Sequence, residues 1–239
     1  MVTSTKSSLI LLHGAGLGRW VWDKVIPELT APAQALDLPG RGDGTKPADV
    51  TLKQCIDLVS GKARSLATRS ILVGHSISAE VALGVAVAHP ENVAAVVLVG
   101  GVVPESGKSF MSLMPIPQRL FLHVLLKRAH AGIKLPDSLA RKQYCNDLDE
   151  ATTALVLSRL TAEAPRLYLD KLAWSTLDER LPRFYIKLLD DKSVPPKQQD
   201  RIIRRIRATR VESLRTGHLP MVARPSELAA VLNRLVATV

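Results

Sequence analysis

"ILVGHSISAE", residues Ile71 to Glu80, carries an apolar run across one glycine and one serine into a helix of small residues. A serine at a sharp strand-to-helix corner is the geometry of an activated nucleophile, usually written G-x-S-x-G. Here the form is Gly74-His75-Ser76-Ile77-Ser78. Alone it supports two readings, a nucleophilic Ser76 or an ordinary serine in a turn. The sequence on either side weighs them.

Upstream, Ser8–His13 reads as a strand entering a glycine loop, Trp22–Leu29 as a helix, and Ala33–Asp37 as a short strand entering "DLPGRGDG". Thr51–Leu66 places Leu52, Ile56, Val59 and Ala63 at helical spacing. Ile71–Val73 is a buried strand, Ile77–His89 a helix apolar nearly all round, and Val93–Val99 a near-continuous apolar strand. Such strands alternating with helices predict a parallel sheet covered on both faces. From about Pro104 to Arg180 the text is helical and rich in proline, with no convincing strand. Arg183–Leu189 restores a strand, followed by a helix over Pro196–Arg207, a strand over Thr209–Leu214 and an amphipathic helix over Ser226–Val236. The predicted organisation is an α/β core of residues 1–103 and 181–239, with a helical cap, 104–180, inserted between its strands.

In an open parallel sheet, ligands bind beyond the C-terminal strand ends. His13-Gly14-Ala15-Gly16 follows the first strand, His75-Ser76 the third, Asp190-Asp191 the first strand after the insertion, and Gly217-His218 the last. A serine, an acid and a histidine thus reach one rim, in that chain order. A serine hydroxyl becomes nucleophilic when a histidine takes its proton and a carboxylate fixes that histidine's tautomer. Ser76, His218 and either Asp190 or Asp191 meet that requirement. The oxyanion needs backbone N–H donors. Ile77, after the nucleophile, is one candidate and Ala15 the other, with Gly14 and Gly16 letting the backbone approach. Each part has a plain alternative: His13 could bond a loop, Asp190 and Asp191 could cap the next helix, and His218 could lie on the surface. Their joint placement at strand ends favours catalysis.

Composition narrows the classes. The chain has 239 residues and is 46% hydrophobic, which suits one compact domain with an insertion. No apolar run is long enough to span a membrane, and "MVTSTKSSLILLHG" lacks the layout of a signal peptide. Cys55 and Cys145 are far apart, which suits free thiols in the cytoplasm. No histidine pair has metal-ligand spacing, and no metal or cofactor is expected. The net charge is +10, much of it from Arg201, Arg204, Arg205, Arg207, Arg210 and Arg215. Ile202, Ile203 and Ile206 would turn inward and leave these arginines as a solvated face. The sharper reading is a docking patch for an acidic carrier protein or an anionic substrate. Nucleic acid is not expected, because no binding motif or aromatic interleaving is present.

With these motifs in view, the sequence resembles the α/β-hydrolase superfamily, and within it the branch of plant methylesterases, polyneuridine-aldehyde-type esterases and hydroxynitrile lyases with their bacterial relatives. The resemblance rests on "LLHGAGLGRWVWDKV", "ALDLPGRGDG", "ILVGHSISAE", "YIKLLDDKSVPPKQQ" and "TGHLPMVARPSELAAVL", with "QYCNDLDEATTALVLSRLTAEAP" similar to cap text. It implies Ser76 as nucleophile, His218 as base, Asp191 rather than Asp190 as acid, and Ala15 and Ile77 as oxyanion donors. Hydroxynitrile lyases carry threonine where this chain has Gly14 and a cyanide-holding lysine where it has Leu219, so ester hydrolysis is favoured. Ser76 argues against the branches with an aspartate nucleophile. Ser78 departs from the elbow's usual final glycine, and a small packing shift is expected there. The cap stretch "SFMSLMPIPQRLFLHVLL" reads as cap core or as an apolar acyl pocket. Phe110, Leu113 and Met114 are the pocket candidates, beside Gly14, Gly16 and Leu219. The expected activity is cleavage of a small, largely apolar carboxylic ester, a methyl ester included, through an acyl-enzyme on Ser76. The alternatives are a lyase, elimination or decarboxylation step at the same site, or a non-catalytic ligand receptor.

Overall fold

A computed structural model describes residues 7–239. The expectation of no signal peptide, and the start of the core at residue 1, rest partly on the first six residues, which lie outside that range. Along the chain come β1 (Ser8–Leu12), β2 (Ala33–Leu36), α1 (Leu52–Arg64), β3 (Ser70–His75), α2 (Ser78–Ala88) and β4 (Val93–Val99). An insertion follows, with β5 (Lys108–Ser109), α3 (Ile116–Arg128), α4 (Asp137–Gln143), α5 (Glu150–Arg159), α6 (Pro165–Leu169) and β6 (Lys171–Leu172). The chain closes with β7 (Arg183–Leu188), α7 (Pro196–Arg205), β8 (Arg210–Leu214), α8 (Pro220–Ala223) and α9 (Pro225–Val236).

Six strands form one sheet in the order β2-β1-β3-β4-β7-β8, and every pairing in it is parallel. Successive side chains point to opposite faces, and the core divides accordingly. Ile10, Leu12, Leu72, Val96 and Leu98 meet α1, α2 and α7 on one side. Leu9, Leu11, Ile71, Val73 and Val97 meet Trp22 and α9 on the other. α2 is buried from Ser78 to Ala86, as its all-round apolar sequence predicts. α1 begins at a capping box: Gln54 N–H donates to Thr51 Oγ1 (3.2 Å) and Thr51 N–H to Gln54 Oε1 (2.7 Å). In α7 and just beyond it, Ile202 and Ile206 are buried while Arg201, Arg204 and Arg207 are exposed. Arg205 turns back to donate to the carbonyl of Val103 at 2.6 Å.

Two expectations change. Trp22–Leu29 is not an α-helix but two 3-10 turns, Arg19–Trp22 and Ile26–Glu28. Pro27 has no N–H for an i−4 bond, and the run is too short to nucleate a helix without one. The insertion also holds two strands where none was expected. β5 and β6 pair antiparallel, Lys108 opposite Leu172 and Ser109 opposite Lys171, and close its neck. Two residues per strand leave no alternation to read in a sequence.

Candidate active site

Ser76 stands one residue beyond β3 with φ 54°, a left-handed conformation that a non-glycine residue adopts only where its surroundings hold it. Those surroundings are hydrogen bonds. Ser76 N–H donates to Val99 O (3.1 Å), and Ser76 O accepts from Val102 N (2.9 Å) and Ala79 N (3.2 Å). The turn needs Gly74, where a Cβ would lie 2.7 Å from the carbonyl of Ser78. Ser78 itself is fully buried, and its hydroxyl donates a short hydrogen bond to the carbonyl of His13. The residue expected to be a packing adjustment therefore ties the elbow to the loop after β1.

It is Asp191, not Asp190, that meets His218. The His218 Nδ1–H donates to Asp191 Oδ2 at 2.8 Å, and the other carboxylate oxygen accepts from the amides of Ser193 (2.7 Å) and Val194 (2.9 Å). Asp191 and His218 are 2% and 0% exposed. Asp190 points outward, 3.8 Å from Arg215. The His218 ring lies 4.8 Å from that of His75 and 4.9 Å from that of Tyr144, and its carbonyl accepts from His75 Nε2 at 2.8 Å. Its Nε2 has no hydrogen-bond partner, Ser76 included. A ring held this way at Nδ1 leaves Nε2 open to a proton from a neighbouring group.

The loop after β1 runs beside Ser76; a Cβ on Gly14 would lie 3.1 Å from the Cβ of Ser76 and 2.6 Å from His75 Nδ1. Among the described residues, the amides of Ala15 and Ile77 take part in no hydrogen bond. His13 is fully buried behind them, accepting from Leu38 N at Nε2 (3.2 Å) and donating from Nδ1 to Gly14 O (2.9 Å). Burial, and then the Arg41 charge, lower its pKa to about 4, so it stays neutral. Burial also holds His75 well below the usual histidine range. Phe110 and Leu113 pack against the cluster that contains Ala15 and Ile77, and Met114 is half-buried nearby. Phe110 stands edge-on to Tyr168 at 5.2 Å. Leu219 is fully buried in the opposite cluster with Leu17, Trp22 and Tyr144.

Several residues absent from the sequence reading hold these loops. Glu163 Oε2 accepts from the amide of Gly16 (3.0 Å) and from Arg41 (2.5 Å), while Oε1 accepts from Ala164 N (2.8 Å). Arg41 also donates to Leu17 O (2.6 Å) and Ala162 O (3.1 Å). The Arg41 and Glu163 side chains are only 5% and 4% exposed. Gly16, at φ 72°, accepts at its carbonyl from Thr161 N (2.9 Å), and the Tyr144 hydroxyl donates to Ala15 O (3.3 Å). Asp147 Oδ2 accepts from Thr216 Oγ1 (2.9 Å) and Gly217 N (2.6 Å), and Asn146 donates to Asp190 O (3.0 Å). Among the described residues, no three His, Cys, Asp or Glu side chains gather as metal ligands.

Comparison with known proteins gives this rim a family. The model of the alpha/beta hydrolase family matches residues 9–231. A 2-hydroxy-6-oxo-6-(2'-aminophenyl)hexa-2,4-dienoic acid hydrolase of Metapseudomonas resinovorans is 30% identical over 60% of this chain and 54% of its own. A pimeloyl-[acyl-carrier protein] methyl ester esterase of Proteus mirabilis is 35% identical over 39% of this chain and 36% of its own. The chain thus matches about half of the first relative's length and about a third of the second's. "Probable esterase PIR7A" of Oryza sativa is 26% identical over 95% of this chain and 96% of its own. In three dimensions, an extracellular α/β-hydrolase of a Paenibacillus species, related by its description to tobacco salicylic acid binding protein 2, superposes with TM-score 0.85 at 20% identity, over 95% of this chain and 98% of its own. The methylesterase MES16 of Arabidopsis superposes with TM-score 0.79 at 21% identity, over 98% and 100%. At those identities the superpositions speak to fold alone. With the parallel sheet, the elbow at Ser76 and a family model covering nearly its whole length, the chain belongs to the alpha/beta hydrolase family.

Proposed function

We propose that this hydrolase is a serine carboxylesterase. Ser76 Oγ attacks the ester carbonyl while His218 Nε2 takes its proton, and Asp191 stabilises the imidazolium that forms. The carbonyl oxygen gains its charge between the free amides of Ala15 and Ile77. His218 then protonates the leaving alkoxide, and water releases the acyl group by the same steps in reverse order. The observation that carries this reading is the buried His218–Asp191 pair with Nε2 free, on the rim of the strained Ser76.

Ester cleavage is favoured over cyanohydrin cleavage at two positions. No threonine fits at position 14 while His75 stands 2.6 Å from where its Cβ would be, and Leu219 supplies buried apolar surface instead of a cation. Phe110, Leu113 and Met114 would line an acyl pocket for a small apolar ester. The name of the Proteus relative supports a methyl ester. The Proteus relative's name and the net charge of +10 together support an acidic carrier protein as the bearer of the acyl group. The buried thiols of Cys55 and Cys145, unpaired, suit the cytoplasm.

Labelling with a fluorophosphonate, run beside turnover of methyl and p-nitrophenyl esters, tests the reading. Wild type labels and turns over, and Ser76→Ala does neither. Undiminished turnover in Ser76→Ala refutes it, and labelling of Ser76 without turnover of any ester points to a non-hydrolytic step.

A further inference from the structure

A helix packed on a globular core turns its apolar stripe inward. α3 has no such stripe: apolar side chains lie on every side of it, and most are left uncovered. Only Leu126 is buried in it, while Ile116, Leu120, Phe121, Val124 and Leu125 are 62, 64, 72, 51 and 49% exposed. Ile116, Leu120 and Val124 follow at steps of four and form one ridge, with Phe121 and Leu125 in the next row beside it. The other exposed large apolar side chains, such as Leu58, Leu155 and Val211, lie far apart in the sequence.

Charge along the segment that carries the ridge has one sign. Between Glu105 and Asp137 the chain carries Lys108, Arg119, Lys127, Arg128 and Lys134 and no acidic residue. A cleft of about 420 Å³ opens beside the C-terminal half of α3, with His123, Lys127, His130 and Arg166 in its wall. Asp170 in the same wall pairs with Arg166 Nε at 2.6 Å and accepts from the amide of Leu52 at 3.0 Å, which leaves Lys127 as the cleft's unpaired cation among the described residues. Exposed apolar side chains, a segment whose charges are all basic, and Lys127 at the cleft together suit a surface that offers both acyl chains and anionic headgroups.

We propose that α3 seats this protein on the surface of an anionic lipid bilayer, with the Ile116–Leu125 ridge in the headgroup–acyl boundary and a lipid phosphate in the cleft beside Lys127 and His130. Charge complementarity selects this occupant. A second copy docked on the same face would oppose one basic segment to another, with no acid between Glu105 and Asp137 in either to pair it. An acidic soluble protein would satisfy those charges but leave Leu120 and Phe121 against polar surface.

Co-sedimentation with vesicles of phosphatidylcholine, alone or mixed with phosphatidylglycerol, decides it. The protein binds the mixed vesicles and is released as salt rises. Lys127→Gln with Arg128→Gln weakens binding about fivefold per charge removed. Leu120→Ser with Phe121→Ser weakens it at least about tenfold. Turnover of a short soluble ester is unchanged in both variants. Equal binding to neutral vesicles overturns the charge argument, and wild-type binding by the serine variant overturns the ridge. Concentration-dependent dimers in light scattering without vesicle binding assign the face to a second copy. Vesicle binding undiminished by inorganic phosphate at matched ionic strength, with phosphate bound by the vesicle-free protein, gives the cleft to free phosphate and overturns the lipid-phosphate contact. Capture by an acidic protein without vesicle binding refutes the proposal.

Discussion

Replacing Arg41 and Glu163, singly and together, should separate stability from catalysis. Both side chains are almost wholly buried. Arg41→Met leaves the Glu163 carboxylate buried with only the amides of Gly16 and Ala164 as partners. Breaking one half of a buried pair costs about 3–5 kcal/mol, and for a chain of this size each kcal/mol moves Tm by about 2–4 °C. Arg41→Met should therefore melt roughly 6–20 °C low, as should Glu163→Leu, which strands the guanidinium against two carbonyls. The double variant Arg41→Met/Glu163→Leu removes both charges, and its stability should return to within about 2 kcal/mol of wild type. Its catalysis should not return. The Gly16 amide has lost its acceptor, and Ala15, one residue earlier, carries the proposed oxyanion amide. Loss of an oxyanion donor costs about 10²–10³ in kcat. The loop keeps its bonds from Thr161 to Gly16 and from Tyr144 to Ala15, so a fall of about 10–100-fold in kcat with KM little changed is expected. Thermal melts and steady-state kinetics on all four proteins measure this. A double variant with wild-type kcat would refute a positioning role, and single variants with wild-type Tm would refute the reasoning about buried charge.

Asp191→Asn should lower kcat by about 10³–10⁴, since the amide cannot orient and stabilise a His218 imidazolium; Asp190→Asn, facing solvent and Arg215, should leave kcat within about twofold. Neutral His13 makes stability depend on pH. Its folded pKa, about 4, lies below the ordinary histidine value of 6.5, so its contribution is complete above 6.5 and drains away as pH falls toward 4. Between pH 7 and pH 5 urea denaturation should show a loss of about 2 kcal/mol from this group, with His75 adding in the same direction. Glu80 carries the opposite sign. Burial, and then Asp170, hold its pKa well above 4.5, and both its oxygens lack partners, so its penalty grows as pH rises. Glu80→Gln should raise Tm more at pH 8 than at pH 5, and an equal gain at both would show that burial does not raise the pKa of this carboxyl.

What the sequence displayed was local or periodic. β4 is seven apolar residues buried end to end, and α2 is apolar on every side, so neither had a competing pattern. The Gly74–Ser76 corner is legible because the turn itself demands the glycine. Asp190 and Asp191 could not be told apart from their own text, since the choice depends on which side chain turns toward the last loop. Arg41 and Glu163 left no trace at all. They lie 122 residues apart, and nothing local marks an arginine in a glycine-rich turn as buried. Asp147 reaches Gly217 across 70 residues, with Gly217 needed because a Cβ would fall 2.4 Å from the carboxylate. Ser78 was visible but was taken for an imperfection, whereas its hydroxyl makes a cross-loop bond to His13.

These long-range bonds divide the insertion into two parts with different physics. Residues 144–163 hold the loops after β1, β7 and β8: Tyr144, Thr161 and Glu163 the first, Asn146 the second, Asp147 the third. The Ser76 elbow, by contrast, is pinned within the sheet core by Val99 and Val102. The proposed nucleophile is therefore set by the sheet, while the loops carrying the proposed oxyanion donor, acid and base are set largely by the insertion. Changes in 144–163 should accordingly act on kcat even where no side chain meets substrate. α3 contributes to none of those bonds, and its exposed ridge can change without moving the site. That independence lets one insertion both hold the loops around the reacting groups and present a surface to something outside the molecule.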